Sequence, residues 1–218
     1  MSTFPFADRW LAACCAMLAL SGCAPPRVAP LQGVPVRVQQ LPQGVLPSGT
    51  RKVVFKWDLR DGEMSARGDG VARIASPDSV RLDFFLGGGF GGGAAVLIGD
   101  SLQVPGPDAA RRLVPPRALL WAALGRLDIP AEPDTVVRVD AGVLRADIGA
   151  PVHWRATFRG DTLTRLERVD GGRIQEWVER AADQSVQYRN EAARRTLKLV
   201  IQRSDAVPPF DPSIWRLF

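Results

Sequence analysis

The sequence predicts a mainly β fold: a strongly curved, incompletely closed antiparallel β-sheet with short helices. Three observations carry this reading. Apolar and polar residues alternate with a period of two over much of Arg51 to Phe218, as half-buried strands require. Glycine-containing turn dipeptides, Asp61-Gly62, Gly99-Asp100, Gly160-Asp161 and Gly171-Gly172, separate the alternating runs at short intervals. One internal stretch, Pro115 to Leu127, opens with two prolines and is apolar at helical spacing.

In chain order, residues 1–22 read as a lipoprotein signal peptide. Trp10 to Leu20 is an 11-residue apolar run preceded by Arg9 and followed by Ser21, Gly22 and Cys23. At about 1.5 Å per residue it covers roughly half of a ~30 Å hydrocarbon core, which suits a secretory signal and not a spanning helix. The ending Leu20-Ser21-Gly22-Cys23 resembles a bacterial lipobox, which implies cleavage before Cys23 and attachment of lipid, palmitate included, to that cysteine. Cys14 and Cys15 fall in the removed segment, so no disulfide is expected. Ala24 follows the cysteine, and resemblance to Gram-negative lipoproteins implies an outer-membrane destination with the folded part facing the periplasm. Residues 23–50 are then the acylated cysteine and a proline-rich tether. Prolines 25, 26, 30, 35, 42 and 47 and the lack of apolar periodicity predict an extended segment that adds nothing to a core.

The body, residues 51–218, opens with strands at Lys52 to Leu59 and Met64 to Ala75. Val80, Leu82, Phe84 and Leu86 form one apolar face of the next strand, and strands follow at Ala94 to Ile98 and Leu102 to Pro105. The helix comes next, with Leu120, Leu124 and Leu127 on one face and Trp121, Ala122 and Ala123 leaving little polar surface opposite. A helix apolar nearly all round is covered on both sides or faces a lipid-like ligand. Val136 to Ile148 is divisible at Ala141-Gly142, and Val152, Trp154, Ala156 and Phe158 alternate with His153, Arg155, Thr157 and Arg159. Thr162 to Val169, Arg173 to Arg180, Ser185 to Arg189 and Thr196 to Arg203 complete the meander, and Asp211 to Phe218 reads as a capped helical turn.

Composition excludes several functions. The net charge is +5, but 28 basic residues are interleaved with 23 acidic ones and no basic run exceeds a pair, so no nucleic-acid footprint is expected. One histidine and three cysteines are too few for a His/Cys zinc site and leave little scope for a base-activated nucleophile. Neither catalysis nor a cofactor is expected. Residues 87–93 formally satisfy a dinucleotide-binding glycine pattern, yet no helix follows. Arg67-Gly68-Asp69 and Arg159-Gly160-Asp161 spell an adhesion tripeptide where strands should turn or bulge, and His153 lies on the polar face of its strand.

An acylated N-terminus, a proline-rich tether and a meander divided by a helix resemble the Lol lipoprotein-sorting proteins, the LolB-type outer-membrane receptors in particular. The resemblance covers most of residues 51–170. It is carried by Lys56-Trp57-Asp58-Leu59, by Gly70-Val71-Ala72-Arg73-Ile74 followed by Pro77-Asp78-Ser79-Val80-Arg81-Leu82-Asp83, by the loop after Leu86, and by Gly125-Arg126-Leu127-Asp128-Ile129-Pro130. It implies a half-barrel whose concave face, lidded or plugged by short helices, holds the acyl chains of a lipoprotein cargo. A periplasmic LolA-like carrier is an implied partner, and a monomer is expected. Where the receptors project a loop with an exposed leucine, this chain has Gly87-Gly88-Gly89-Phe90-Gly91-Gly92-Gly93, which makes Phe90 the candidate membrane contact.

The expected ligand-binding residues are Val80, Leu82, Phe84, Leu86, Leu120, Trp121, Leu124, Trp154 and Phe158, lining one cavity. Two other readings stay open. One is a structural envelope lipoprotein that binds a protein partner through a sheet edge. The other is a carrier of phospholipid or another hydrophobic ligand. A lined cavity favours carriage, and a core filled with side chains favours a scaffold.

Overall fold

The computed structural model describes residues 24–88, 91–106 and 108–216. Its strands are β1 (Val34–Pro35), β2 (Thr50–Asp61), β3 (Met64–Ala75), β4 (Ser79–Leu86), β5 (Gly92–Ile98), β6 (Ser101–Gln103), β7 (Val136–Asp140), β8 (Val143–Ile148), β9 (Trp154–Arg159), β10 (Thr162–Asp170), β11 (Arg173–Arg180), β12 (Ser185–Asn190) and β13 (Arg195–Ala206). Helix α1 is Asp108–Arg111, helix α2 is Arg117–Ala123, and a 3-10 turn spans Pro212–Trp215. No helix among the described residues is long and apolar enough to cross a membrane.

All strands belong to one 13-stranded sheet in the order β1-β7-β8-β9-β10-β11-β12-β13-β2-β3-β4-β5-β6, with every neighbouring pair antiparallel. The sheet is curved and unclosed. The junction of its two halves is β13 against β2, in register from Arg195 opposite Asp61 to Ala206 opposite Arg51. The chain therefore meanders twice, and the opening falls between β6 and the β7–β1 edge. Residues 104–135, which carry both helices, cross that opening.

Concave residues alternate as the sequence requires. Val53, Phe55, Trp57 and Leu59 of β2, Leu82 and Phe84 of β4, and Val186 and Tyr188 of β12 are buried in one core cluster. Phe84 meets Phe55 and Trp57 edge to face, at ring distances of 5.7 and 6.2 Å. Gly70 of β3 makes room for this packing, since a Cβ there would overlap the Phe55 ring. The opposite face carries cross-strand ion pairs, Arg155 with Asp147 at 2.6 Å and Arg73 and Arg81 around Asp83.

The expected tether is not a free spacer in the described residues 24–50. Val28 N–H donates to Gly172, Pro26 accepts from Ile174, and Val34–Pro35 adds to the β7 edge. Leu127 N–H donates to the Gln43 carbonyl at 2.6 Å, and Leu41 and Leu46 are 2% and 5% exposed within the core cluster. The expectation failed because two leucines spaced five apart among prolines make no periodic pattern, yet each can anchor an extended strap against apolar surface.

Candidate functional site: the concave face under helix α2

Helix α2 forms because Pro116 sets its first turn and accepts from Leu120 N–H at 2.9 Å, followed by good helix formers. It stops at Gly125, whose φ of +94° and reversed hydrogen bonds, Gly125 N–H to Ala122 and Arg126 N–H to Trp121, turn the chain away. The helix contacts β10, β11 and β12 and buries Leu119, Leu120, Trp121 and Ala122. Trp121 Nε1–H donates to the Gly99 carbonyl at 3.3 Å, and Arg126 lies 4.7 Å over its ring.

Between α2 and the sheet is a small apolar cavity of ≈ 20 Å³, lined by Leu82, Phe84, Leu120, Ala123, Val186, Tyr188, Leu197 and Leu199, with Leu113 and Pro115 from the preceding loop. That volume holds one water-sized body, whereas ligand pockets run to about 300–1,000 Å³. The concave face is closed by its own side chains in this conformation. An acyl chain enters only if α2 or the Leu113–Pro115 loop moves outward.

The expected site residues divide accordingly. Leu82, Phe84 and Leu120 line the cavity. Val80, Trp121 and Phe158 are fully buried without bordering it, and Leu124 and Trp154 are partly buried against the core. Leu86 lies beyond the core at 38% exposure, beside Phe85 at 50%. Three of the nine thus border this cavity, and Phe84 and Phe158 sit on β4 and β9, well separated in the strand order. Cys23 and Phe90 lie outside the described residues. The sequence reading missed Val186, Tyr188, Leu197 and Leu199, whose alternation on β12 and β13 was legible but whose position opposite α2 was not.

Two larger depressions border the cavity. One of ≈ 400 Å³ shares Pro115 and Tyr188 with it and is also lined by Glu176 and Arg195. Here Glu176, buried, accepts from the Tyr188 hydroxyl at 2.8 Å, Asn190 Nδ2 at 2.7 Å and Arg168 Nε at 2.8 Å. Burial, then the charge of Glu176, push the Tyr188 hydroxyl far above its usual titration range, so it remains a donor. Arg195 and Arg112 converge on Asp61 at 3.3 and 3.1 Å, while the buried Arg195 Nε finds no acceptor among the described residues.

The other depression, of ≈ 720 Å³, shares Ala123 and Val186 with the cavity and is lined further by Arg159, Thr162, Thr164, Arg180, Gln184, Ser185 and Ile201. The two depressions thus border the cavity on different sides, through Pro115 and Tyr188 and through Ala123 and Val186.

No family model and no curated protein matches this chain. Among solved structures it is similar to a LolA superfamily protein from Nitrosomonas europaea, at TM-score 0.49 and 10% identity over 79% of this chain and 92% of that one. A putative outer membrane lipoprotein-sorting protein domain from Vibrio parahaemolyticus gives 0.44 and 9%, over 77% and 89%. A DUF1329 family protein from Desulfovibrio piger gives 0.39 and 6%, over 78% and 90%. At these scores function rests on the geometry of this chain itself.

Proposed function

We propose that this chain is an envelope lipoprotein that takes up acyl chains beneath helix α2 and hands them to the outer membrane, lipoprotein acyl chains being the cargo class. The observation that carries the reading is the small apolar cavity beneath α2, which shares Pro115 and Tyr188 with one larger depression and Ala123 and Val186 with the other. Exposed methylenes cost about 0.8 kcal/mol each in water, so an apolar concave face under a short helix is suited to shielding them without any catalytic group.

Cys23, acylated, supplies the anchor, and Phe90, in the glycine run that follows the exposed Phe85 and Leu86 in the sequence, supplies a second membrane contact. Sheet-edge binding to a protein partner is less well supported, because the two edge strands are β1 with 2 residues and β6 with 3, short templates for strand addition.

Photocrosslinking with a diazirine-bearing palmitic acid tests the reading on the full chain. Adducts are expected on the peptides carrying Leu120 to Ala123 and Val186 to Tyr188. Adducts absent from both, or spread evenly over the surface, would overturn acyl uptake. In the same cells Cys23→Ser should abolish fatty-acid labelling of the chain, and Phe90→Glu should weaken co-sedimentation with liposomes while the thermal transition stays put. Unchanged labelling or sedimentation removes the corresponding role.

A further inference from the structure

The ≈ 720 Å³ depression holds a cation that folding alone does not account for. Arg180 ends β11 on the concave face, in the cross-strand row that continues through Val186, Leu199 and Trp57. It is the charged head of an otherwise apolar row. Among the described residues Arg180 has no hydrogen-bond or ion-pair partner, and burial pulls its guanidinium below the usual arginine range. Its neighbour Glu179 and Arg165 also line this depression, but they engage each other at 2.5 Å.

Arg180 is nevertheless held in place. Its guanidinium lies against Gly125 at the exit of α2, where any Cβ would overlap Nη1, and Gly44 of the strap covers the Gly125 carbonyl. A second arginine, Arg159, lines the same depression, as do the hydroxyl and amide groups of Thr162, Thr164, Ser185 and Gln184. A partly buried cation without a counter-charge is costly, and an anion reaching it would recover that cost. The depression lies within the range of ligand sites, and its inner wall, Ala123 and Val186, is also the wall of the apolar cavity.

Taking acyl uptake as the premise, we propose that this depression is a headgroup subsite in which Arg180 binds the carboxylate or phosphate of an anionic amphiphile whose hydrocarbon chain passes between Ala123 and Val186 into the cavity. The ligand class follows from the two shared walls. A neutral lipid leaves Arg180 unpaired, and a free anion leaves the apolar wall unfilled. The cationic end of helix-terminal electrostatics gives the competing account: Arg180 could simply neutralise the carbonyls at the end of α2.

Competition binding on the full chain, using dansyl-undecanoic acid as the reporter, separates these accounts. Oleate should displace the reporter at least about tenfold better than methyl oleate, the ratio expected for one charge-assisted pair. Arg180→Gln should erase that ratio while leaving methyl oleate binding and the thermal transition unchanged, and Arg180→Lys should keep part of it. Phosphatidic acid competing like oleate, with inorganic phosphate inert at millimolar levels, assigns the site to lipid. Displacement by inorganic phosphate alone would overturn the amphiphile in favour of a free-phosphate site. Equal displacement by oleate and methyl oleate in wild type would overturn the headgroup subsite and leave acyl uptake standing, whereas no displacement by either would sink acyl uptake itself. Loss of stability in Arg180→Gln with equal weakening of both ligands makes Arg180 a helix-positioning residue and also overturns the proposal.

Discussion

Glu176 and Arg180 are four residues apart on one strand and on one face, yet the fold treats their charges in opposite ways. Around Glu176 the sheet brings a tyrosine, an asparagine and an arginine within hydrogen-bond range, so the buried carboxylate is fully engaged. Around Arg180 it brings Gly125, Ala123 and Val186, and the polar groups that line the same depression make no hydrogen bond or ion pair with it among the described residues. A satisfied buried charge holds a structure together, whereas an unsatisfied one costs stability and is retained where something else uses it. The two ends of this strand therefore differ: at Glu176 the charge ties β11 to β10 and β12, and at Arg180 it borders an open depression.

The largest expected effect tests that contrast directly. Glu176→Ala leaves the Tyr188 hydroxyl and the Asn190 amide without their acceptor and should cost about 3–5 kcal/mol in denaturant unfolding. Arg180→Gln should stay within about 0.5 kcal/mol of wild type. Equal losses from both would erase the distinction between the two ends.

Midway between them, Leu120→Ala should lower stability by about 2–5 kcal/mol by enlarging the existing cavity. Added oleate should then restore more stability to this variant than to wild type, measured by the shift in thermal transition. Restoration no greater than in wild type would mean that the two depressions do not communicate through the cavity. Leu41→Ala, in the strap, should cost a comparable amount with no such rescue.

A smaller effect is expected at Gly125. Alanine there must adopt a φ of +94° and displace the Arg180 guanidinium, so Gly125→Ala should cost about 1–3 kcal/mol. Relief of part of that cost in the Arg180→Gln background, read from a double-mutant cycle, would establish that the arginine leans on this glycine. An unchanged cost separates them.

The smallest effect concerns Asp128, an intermediate case just past α2. Arg117 and Arg126 stand 3.0 and 3.7 Å from its carboxylate, but its buried Oδ2 accepts no hydrogen bond among the described residues. Burial outweighs both arginines and raises its titration point above the ordinary carboxylate value of 3.8. A raised carboxylate binds its proton more tightly in the folded state, so its contribution to stability is greatest at low pH and falls as pH rises through 3.8 and then through the folded value. Asp128→Asn should remove that decline, seen as a flatter difference in urea midpoint against pH. An identical pH profile in the two proteins would show the carboxylate to be relaxed.

Much of this molecule was legible in its sequence. Period-two alternation in β2, β4 and β9, the glycine turns and the proline-opened α2 depend on neighbours within a few residues, and local stereochemistry decides them wherever they occur. Those signals fixed a mainly β, antiparallel sheet with one principal helix, and they picked Leu82, Phe84 and Leu120, which do meet across the cavity. They could not distinguish these from Val80, Trp121 and Phe158, because alternation marks a face as buried without saying what lies opposite it.

Partnership across the fold was decided by tertiary structure alone. The junction of β13 with β2 joins residues more than 130 positions apart, and no local pattern encodes that pairing. It leaves β1 and β6 as the two edges of the sheet, and it extends the row of Arg180, Val186 and Leu199 to Trp57 of β2. The strap follows the same rule, since Leu41 and Leu46 have no periodic neighbours and find their core only once the sheet has curved. In the sequence Arg180 is one of many arginines alternating with acids. Only the register of four strands and the absence of a side chain at Gly125 single it out, because whether a charge is paired depends on distance in space and not on position along the chain.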